Sequence, residues 1–264
     1  MLDIITSKGI EKFLTPEIKN KIKVEYIEQT ESTNDLVKKR AISGEQEGLL
    51  VVAGKQVQGR GRMGRQFFSP DDTGIYMSLL LRPEIKPCDA IQITTAAAVS
   101  VCDALEQIGA QKASIKWVND IFVNKKKVCG ILTEASFNSK KNTLDYAVLG
   151  VGVNMYLPDN GFPEELKDIA GAVFTHKKEN LKNEFVACFL NSFMNYYNNL
   201  DKKLHSVKYA ENCFVVGQQI NVITGDTTRL AKALSIDENC GLLVQFETGE
   251  KAVLNSGEIS VRAL

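Results

Sequence analysis

The sequence has few of the residues on which many enzymes depend. Histidine occurs only as His176 and His205, both in polar, lysine-rich stretches, and we expect both to face solvent. Acid–base catalysis by histidine is therefore disfavoured, and chemistry that uses arginine, lysine or a metal is favoured. The six cysteines are widely spaced, with no Cys-x-x-Cys pair and no Cys/His cluster. This spacing argues against zinc and thioredoxin-type motifs and is typical of the reducing cytoplasm.

The sequence also lacks an excess of either charge and a long apolar run. Lys+Arg and Asp+Glu number 32 each, so the formal net charge is zero. A dedicated nucleic-acid-binding protein usually has a basic excess or a basic face, and this balance argues against that class. No apolar run reaches the roughly 18 residues that a membrane span needs, and the first residues lack the pattern of a signal peptide. We therefore expect a cytoplasmic protein without a membrane partner.

The most distinctive stretch is GRGRMGR at residues 59–65, which we call the Arg-Gly loop. Glycine lets the backbone approach a ligand closely, and successive backbone N–H groups can form an anion-binding nest. Arginine adds forked, permanently charged donors that suit phosphate and carboxylate groups. The composition predicts a loop that wraps an anion, although a basic surface loop or a nucleic-acid contact would have the same composition.

Hydrophobic periodicity predicts an α+β fold with two parts. Neighbouring strands joined by short polar turns between residues 114 and 155 indicate antiparallel hairpins. Five short strands after residue 212 indicate a small barrel that packs against the rest. We predict a catalytic domain at 1–212 and a barrel domain at 213–264. The other predicted elements are strands at 24–28, 49–53 and 75–81 and helices at 36–41, 90–108 and about 178–203, the last with an aromatic core stripe.

Four clusters of polar, charged or glycine residues lie at strand ends or in loops. Besides the Arg-Gly loop they are Ser32-Thr33-Asn34, KWVND at 116–120 and GVGVN at 150–154. Lys127 stands just before another apolar run. Each has an ordinary structural explanation when taken singly, namely a helix cap, a hairpin turn, close-packed strand glycines or a solvated lysine. GVGVN also lacks the third glycine of a dinucleotide-binding fingerprint.

Together and in this order, the clusters resemble the biotin protein ligase family over nearly the whole chain from about Val24. The Arg-Gly loop, KWVND followed by KVCGIL, GVGVN and SGEISVR at 256–262 carry the resemblance. It implies a mixed, largely antiparallel sheet with helices, related to class II aminoacyl-tRNA synthetases, followed by an SH3-like β-barrel. Only about 25 residues precede the first predicted strand, fewer than the winged-helix domain of some members needs. We therefore expect no repressor activity and no specific DNA partner.

The resemblance also implies an ATP-dependent ligase. Biotin and MgATP would give biotinyl-5'-AMP and pyrophosphate, and the adenylate would acylate a lysine on the biotin carboxyl carrier domain of a biotin-dependent carboxylase. Two anions must meet in the first step, so fixed positive charge has to offset their repulsion. No covalent enzyme intermediate is needed, which agrees with the lack of a Ser/Cys–His arrangement. The predicted strand edges would also allow a homodimer.

The resemblance assigns each motif residue a role. Lys127 and Arg62 are the expected catalytic residues, and Asp120 is the expected Mg²⁺ ligand. The expected biotin-binding residues are Ser32, Thr33, Asn34, Gln56, Arg60, Gly61, Arg62 and Lys127. The expected ATP-binding residues are Arg62, Arg65, Asn119, Asp120, Asn154 and Arg262, with Asn154 at the adenine and Arg262 at the phosphates.

Two departures from the family pattern are visible. Val118 stands where many members have proline, and Phe67 stands where many have tryptophan. Phe67 can still supply an aromatic surface over the ligand. Two alternative functions remain at this stage: a lipoate or octanoate ligase of the same fold, and a non-catalytic nucleic-acid-binding protein.

Overall fold

A seven-stranded mixed sheet forms the centre of the molecule. The computed structural model describes residues 3–261, so the predicted role of Arg262 lies outside the described residues. The strand order is β1-β2-β3-β7-β6-β5-β4. Only β1 and β2 are parallel, and all other neighbours are antiparallel, as predicted for the hairpins. The strands are β1 Lys23–Thr30, β2 Leu49–Gln56, β3 Gly74–Leu81, β4 Ser114–Lys116, β5 Asp120–Val123, β6 Lys126–Asn138 and β7 Thr143–Asn154.

Helices cover both faces of this sheet. Alternate residues of β2 point to opposite sides, so Leu49 and Val51 pack beneath α3 while Leu50 and Val52 join the main core with α4 and α5. Burial on both faces explains why β2 and β3 are continuous apolar runs. The helices are α1 Ser7–Glu11, α2 Pro16–Lys19, α3 Thr33–Ile42, α4 Ile91–Gln107, α5 Leu181–Tyr197 and α6 Ser206–Asn212.

Helix α4 is the central core helix. By length and composition alone, the segment Pro87–Gln107 is long and apolar enough to cross a membrane. The sequence does not show this as an unbroken apolar run, because polar residues interrupt the segment. However, 67% of its most apolar window is buried inside the protein. Its apolar residues pack in the main core with Phe185, Phe189 and Phe193 of α5. The predicted aromatic stripe of α5 is therefore core, as expected.

Helix α5 is shorter than the predicted span of 178–203. Its first turn is capped from a distant part of the chain, because the Asp3 carboxylate accepts the Lys182 N–H at 3.0 Å. Tyr156 donates to the same carboxylate at 2.6 Å. At its other end the helix stops before a 3₁₀ turn at Leu200–Lys202. Hydrophobic periodicity does not mark either end of this helix, so the predicted bounds were too wide.

The expectation that His205 faces solvent is wrong. Its exposed fraction is 0%, and its Nε2 atom lies 3.0 Å from Thr95 Oγ1 of α4. The expectation rested on the lysines near His205 in the sequence, but the His205 side chain turns into the core and packs against the Tyr196 ring. Burial lowers the pKa of His205 to about 4.

This burial predicts an acid-sensitive contribution to stability. The folded pKa of about 4 lies below the unfolded value of about 6.5, so the stabilising contribution is complete above pH 6.5 and falls as the pH drops towards 4. We expect His205 to lower the free energy of unfolding by about 2 kcal/mol between pH 7 and pH 5. Urea unfolding at both pH values should show this loss in the native protein and in His176→Gln, and a smaller loss in His205→Leu. Equal losses in all three proteins would contradict the prediction.

The last five strands form the predicted small barrel. Their order is β11-β10-β9-β8-β12, and all neighbours are antiparallel. The barrel packs directly on the large sheet, because Trp117 donates its Nε1–H to Cys240 O at 3.0 Å. The strands are β8 Gln219–Thr224, β9 Thr227–Ile236, β10 Leu242–Phe246, β11 Lys251–Leu254 and β12 Glu258–Val261.

Candidate active site

A cavity of about 490 Å³ lies over the middle strands of the large sheet. The Arg-Gly loop, the segment 162–170 and the start of β12 complete its walls. Eleven of the thirteen predicted site residues line it: Thr33, Asn34, Gln56, Arg60, Gly61, Arg62, Arg65, Asn119, Asp120, Lys127 and Asn154. Of the other two, Ser32 is buried and caps α3, while Arg262 is not described.

One end of the cavity is a network of uncharged hydrogen-bonding groups, which we call the head pocket. It consists of Thr33, Asn34 and Gln56, which line the cavity, and of Ser78, which is fully buried behind them. Gln56 Oε1 accepts the Thr33 N–H at 2.9 Å and the Thr33 hydroxyl at 3.1 Å. Ser78 Oγ lies 2.7 Å from Thr33 Oγ1 and 2.6 Å from Asn34 Oδ1. Ser78 was not predicted, although it is the one serine inside the otherwise apolar β3 run and this signal was available.

The glycines of GVGVN leave space for other side chains. A Cβ on Gly150 would overlap Asn34 Oδ1, so this glycine makes room for the head pocket. A Cβ on Gly152 would lie 2.6 Å from the Phe67 ring, and one on Gly130 would lie 3.3 Å from it. Gly130 and Gly152 are paired across β6 and β7, so they form a flat floor beneath Phe67. Phe67 therefore supplies an aromatic wall in the cavity, as expected for the residue in place of tryptophan.

The Arg-Gly loop joins three parts of the protein through its arginines. Arg60 pairs with Asp35 at 2.5 Å and with Glu134 at 3.2 Å. Arg62 donates to Asn119 Oδ1 at 2.9 Å and to Gly257 O at 2.8 Å. Arg65 pairs with Glu258 of β12 at 2.5 Å. The barrel domain thus contributes directly to the cavity.

The opposite end of the cavity is cationic. Lys127 Nζ lies 2.7 Å from Asp120 Oδ1, and both side chains are largely shielded from solvent. The backbone of Lys127 is held by the segment that covers it, since its N–H donates to Ile169 O at 2.8 Å. Lys116 lines the same end, and its pKa is lowered by burial and by the nearby Lys127 charge, while Asp120 opposes the shift. Lys116 was not predicted as a site residue, although it begins the KWVND motif and pairs in register with Asp120.

An apolar wall lies beside Asn154 at the end of β7. The Asn154 side chain donates to Gly171 O at 3.2 Å, which ties the strand to the covering segment. Sequence reasoning missed this wall because the segment has neither helical nor strand periodicity. The wall consists of Phe162, Leu166, Ile169 and Ala170.

Comparison with known proteins identifies the family. The model of the biotin/lipoate A/B protein ligase family matches residues 26–154, and that of the biotin protein ligase C-terminal domain matches residues 215–262. The bifunctional ligase/repressor BirA of Bacillus subtilis (strain 168) is 34% identical over 238 residues, which cover 88% of this chain and 72% of that relative. The chain belongs to the biotin protein ligase family.

Other family members agree with this assignment. The biotin–[acetyl-CoA-carboxylase] ligase of Paracoccus denitrificans is 36% identical over 140 residues, which cover 52% of this chain and 56% of that relative. The solved biotin protein ligase from Aquifex aeolicus in complex with biotin and ATP superposes with a TM-score of 0.73 at 26% identity. The match covers 90% of this chain and 98% of that structure. The predicted fold class, a mixed α+β sheet followed by an SH3-like barrel, is confirmed for this biotin ligase family member.

Proposed function

We propose that the protein activates biotin as biotinyl-5'-AMP and transfers it to a lysine of a biotin carboxyl carrier domain. One observation carries the proposal: a continuous cavity joins the uncharged head pocket to a cationic end. A ligand with a neutral polar head and a carboxylate tail fits this order of groups. The solved biotin protein ligase from Aquifex aeolicus in complex with biotin and ATP supports the same pair of substrates here.

The head pocket suits the ureido ring of biotin, which has one carbonyl acceptor and two N–H donors. Thr33 offers a hydroxyl group, and Asn34 and Gln56 offer amide groups, while the buried Ser78 hydroxyl supports Thr33 and Asn34 from behind. Their mutual hydrogen bonds hold these groups in place before a ligand arrives. Preorganised polar groups would therefore bind the head at a low entropic cost.

The cationic end would bring the two reacting anions together. In the first step an oxygen of the biotin carboxylate forms a bond to the α-phosphorus of ATP, and the bond to the pyrophosphate oxygen breaks. We assign Lys127 and Arg62 to the carboxylate and α-phosphate oxygens, where they would stabilise the charge of the transition state. Arg65 and Lys116 would bind the departing phosphates.

Magnesium would enter this site with ATP. Proteins usually bind Mg²⁺ through one or two carboxylates together with substrate phosphates and water. Within residues 3–261 no group of three His, Cys, Asp or Glu side chains is arranged to hold a metal ion. The Asp120 carboxylate in the cavity fits a site that is completed by phosphate oxygens, and the ion would supply further positive charge there.

The second step would use a nucleophile from the partner. The amine of the carrier lysine attacks the carbonyl carbon of the adenylate, an amide bond forms, and AMP leaves. No histidine lines the cavity in the part of the chain that the structure describes. The protein's contribution would therefore consist of position and charge, together with the good leaving group made in the first step.

Exchange of labelled pyrophosphate into ATP tests the proposal directly. We expect exchange that depends on biotin, with no exchange when lipoate or octanoate replaces it. Exchange with lipoate instead of biotin would support the adenylation reaction but would mean that the head pocket binds lipoate. No exchange with any of the three acids would contradict the adenylation function.

A further inference from the structure

Glu134 of β6 lies between the head pocket and the Arg-Gly loop. Its Oε2 atom accepts the Asn34 Nδ2–H at 3.0 Å. The same carboxylate binds the Arg60 guanidinium through both of its oxygens, at 3.2 Å each. Glu134 is not part of the cavity lining, and 20% of its side chain is exposed. It therefore touches two site residues without facing the ligand.

The contact with Glu134 determines how the Asn34 amide is oriented. A carboxylate only accepts hydrogen bonds, so the NH₂ group of Asn34 must point towards Glu134 and its carbonyl oxygen must point towards Ser78. The carbonyl of Leu132, 3.4 Å from Nδ2, favours the same orientation. Glu134 thus fixes which atom of Asn34 the head pocket presents.

The contact with Arg60 anchors the loop. Arg60 Nη1 donates a hydrogen bond to Oε2, and Nη2 lies 3.2 Å from Oε1 as an ion pair. A hydrogen bond between opposite charges is stronger than one between neutral groups. Arg60 has a second partner, Asp35 at 2.5 Å, whose side chain is 39% exposed. The Asp35 carboxylate makes no hydrogen bond to the head-pocket side chains, whereas the Glu134 carboxylate accepts one from Asn34. Of these two carboxylates, only Glu134 contacts both the loop and a head-pocket side chain.

Groups that share one hydrogen-bonding partner are energetically coupled. We propose that Glu134 is a positioning residue that couples the head pocket to the Arg-Gly loop, so that a ligand held by Asn34 stabilises the loop and an anchored loop strengthens head binding. The inference rests on the proposed biotin function. It extends that function to a residue that orders the site through Asn34 and Arg60.

The test compares Glu134→Gln with the matched control Asp35→Asn in the full chain. Glutamine keeps the size of Glu134 and one acceptor for Asn34, but it removes the negative charge and places an amide NH₂ group beside Arg60 Nη2. Asparagine at position 35 also removes a negative charge beside Arg60, yet it leaves the Asn34 side chain untouched. Two readouts are measured for each protein: the biotin KM and kcat in pyrophosphate exchange, and hydrogen exchange of residues 59–66 with and without biotin.

We expect Glu134→Gln to raise the biotin KM about tenfold while kcat stays within about threefold of the native value. Biotin should protect residues 59–66 in the native protein and fail to do so in Glu134→Gln. Asp35→Asn should keep the biotin KM within about threefold and retain the protection by biotin. Thermal unfolding of the variants shows whether they fold. If Glu134→Gln does not, Glu134→Asp provides the same test, because aspartate keeps the charge but is one methylene too short to hold Asn34 and Arg60 together.

The outcomes separate this inference from the proposed function. If native protein shows no biotin-dependent exchange, both are overturned. If native protein exchanges and Glu134→Gln keeps the native KM and biotin-induced protection, only the role of Glu134 is overturned. Equal increases in KM for Glu134→Gln and Asp35→Asn would also overturn it, because the effect would then come from loop charge alone.

Discussion

Replacing Lys127 with alanine is expected to lower the rate of biotinyl-adenylate formation by about 10²–10³-fold, the usual cost of removing one preorganised donor. Lys127 Nζ is held 2.7 Å from Asp120 at the cationic end of the cavity, where the two reacting anions would meet. The charge is already in place before the reaction, so its loss should affect the transition state more than ground-state binding. Lys127 is also assigned to the biotin carboxylate, so the biotin KM should rise as well, but by much less than the rate falls, because the head pocket stays intact.

The neighbouring lysine provides the matched control. Lys125 is exposed in the turn between β5 and β6 and does not line the cavity. Both variants lose one lysine from the same tri-lysine stretch, so a general effect of surface charge would appear in both. Single-turnover formation of the adenylate at saturating biotin and ATP should fall only for Lys127→Ala. A loss below threefold for Lys127→Ala would show that this lysine has only a structural role in β6.

The sequence predicted the local elements well because their signals are local. β2 and the strands from 114 to 155 carry apolar runs with polar turns, and the structure has strands at each place. The order of the strands depends on contacts between distant segments. The parallel pairing of β1 with β2 agrees with their connection through helix α3. The position of β7 beside β3 joins strands that are far apart in the chain and does not follow from periodicity.

The site shows the same limit at the level of single residues. Motif residues such as Lys127 and Asn34 were found because they stand in recognisable strings. Ser78 carried a visible signal, a hydroxyl within an apolar strand, whereas Glu134 is an ordinary polar residue in an alternating one. His205 was misjudged because the packing of α6 on α4 overrides the polarity of its sequence neighbours. Residues that act through other residues can therefore be recognised only from the fold.

A large loss of biotin affinity is expected from Gly150→Ala, although this substitution adds only one methyl group. A Cβ on Gly150 would overlap Asn34 Oδ1, the atom that lies 2.6 Å from Ser78 Oγ. The Asn34 amide would have to leave its place and give up its bonds to Ser78 and Glu134. Loss of one or two buried hydrogen bonds of this kind costs about 1–3 kcal/mol. We expect the biotin KM to rise about tenfold to a hundredfold, while the KM for ATP stays near its native value.

A double-mutant cycle shows whether this loss passes through Asn34. Asn34→Ala removes the atoms that the new methyl group would meet, so Gly150→Ala should cost little further biotin affinity in that background. Two substitutions that act on one contact are strongly non-additive, whereas independent ones add within about 0.5 kcal/mol. Biotin KM values for the native protein, both single variants and the double variant complete the cycle. Additive losses would mean that alanine at position 150 disturbs the β-sheet itself, and Gly150 would then have no specific role in the head pocket.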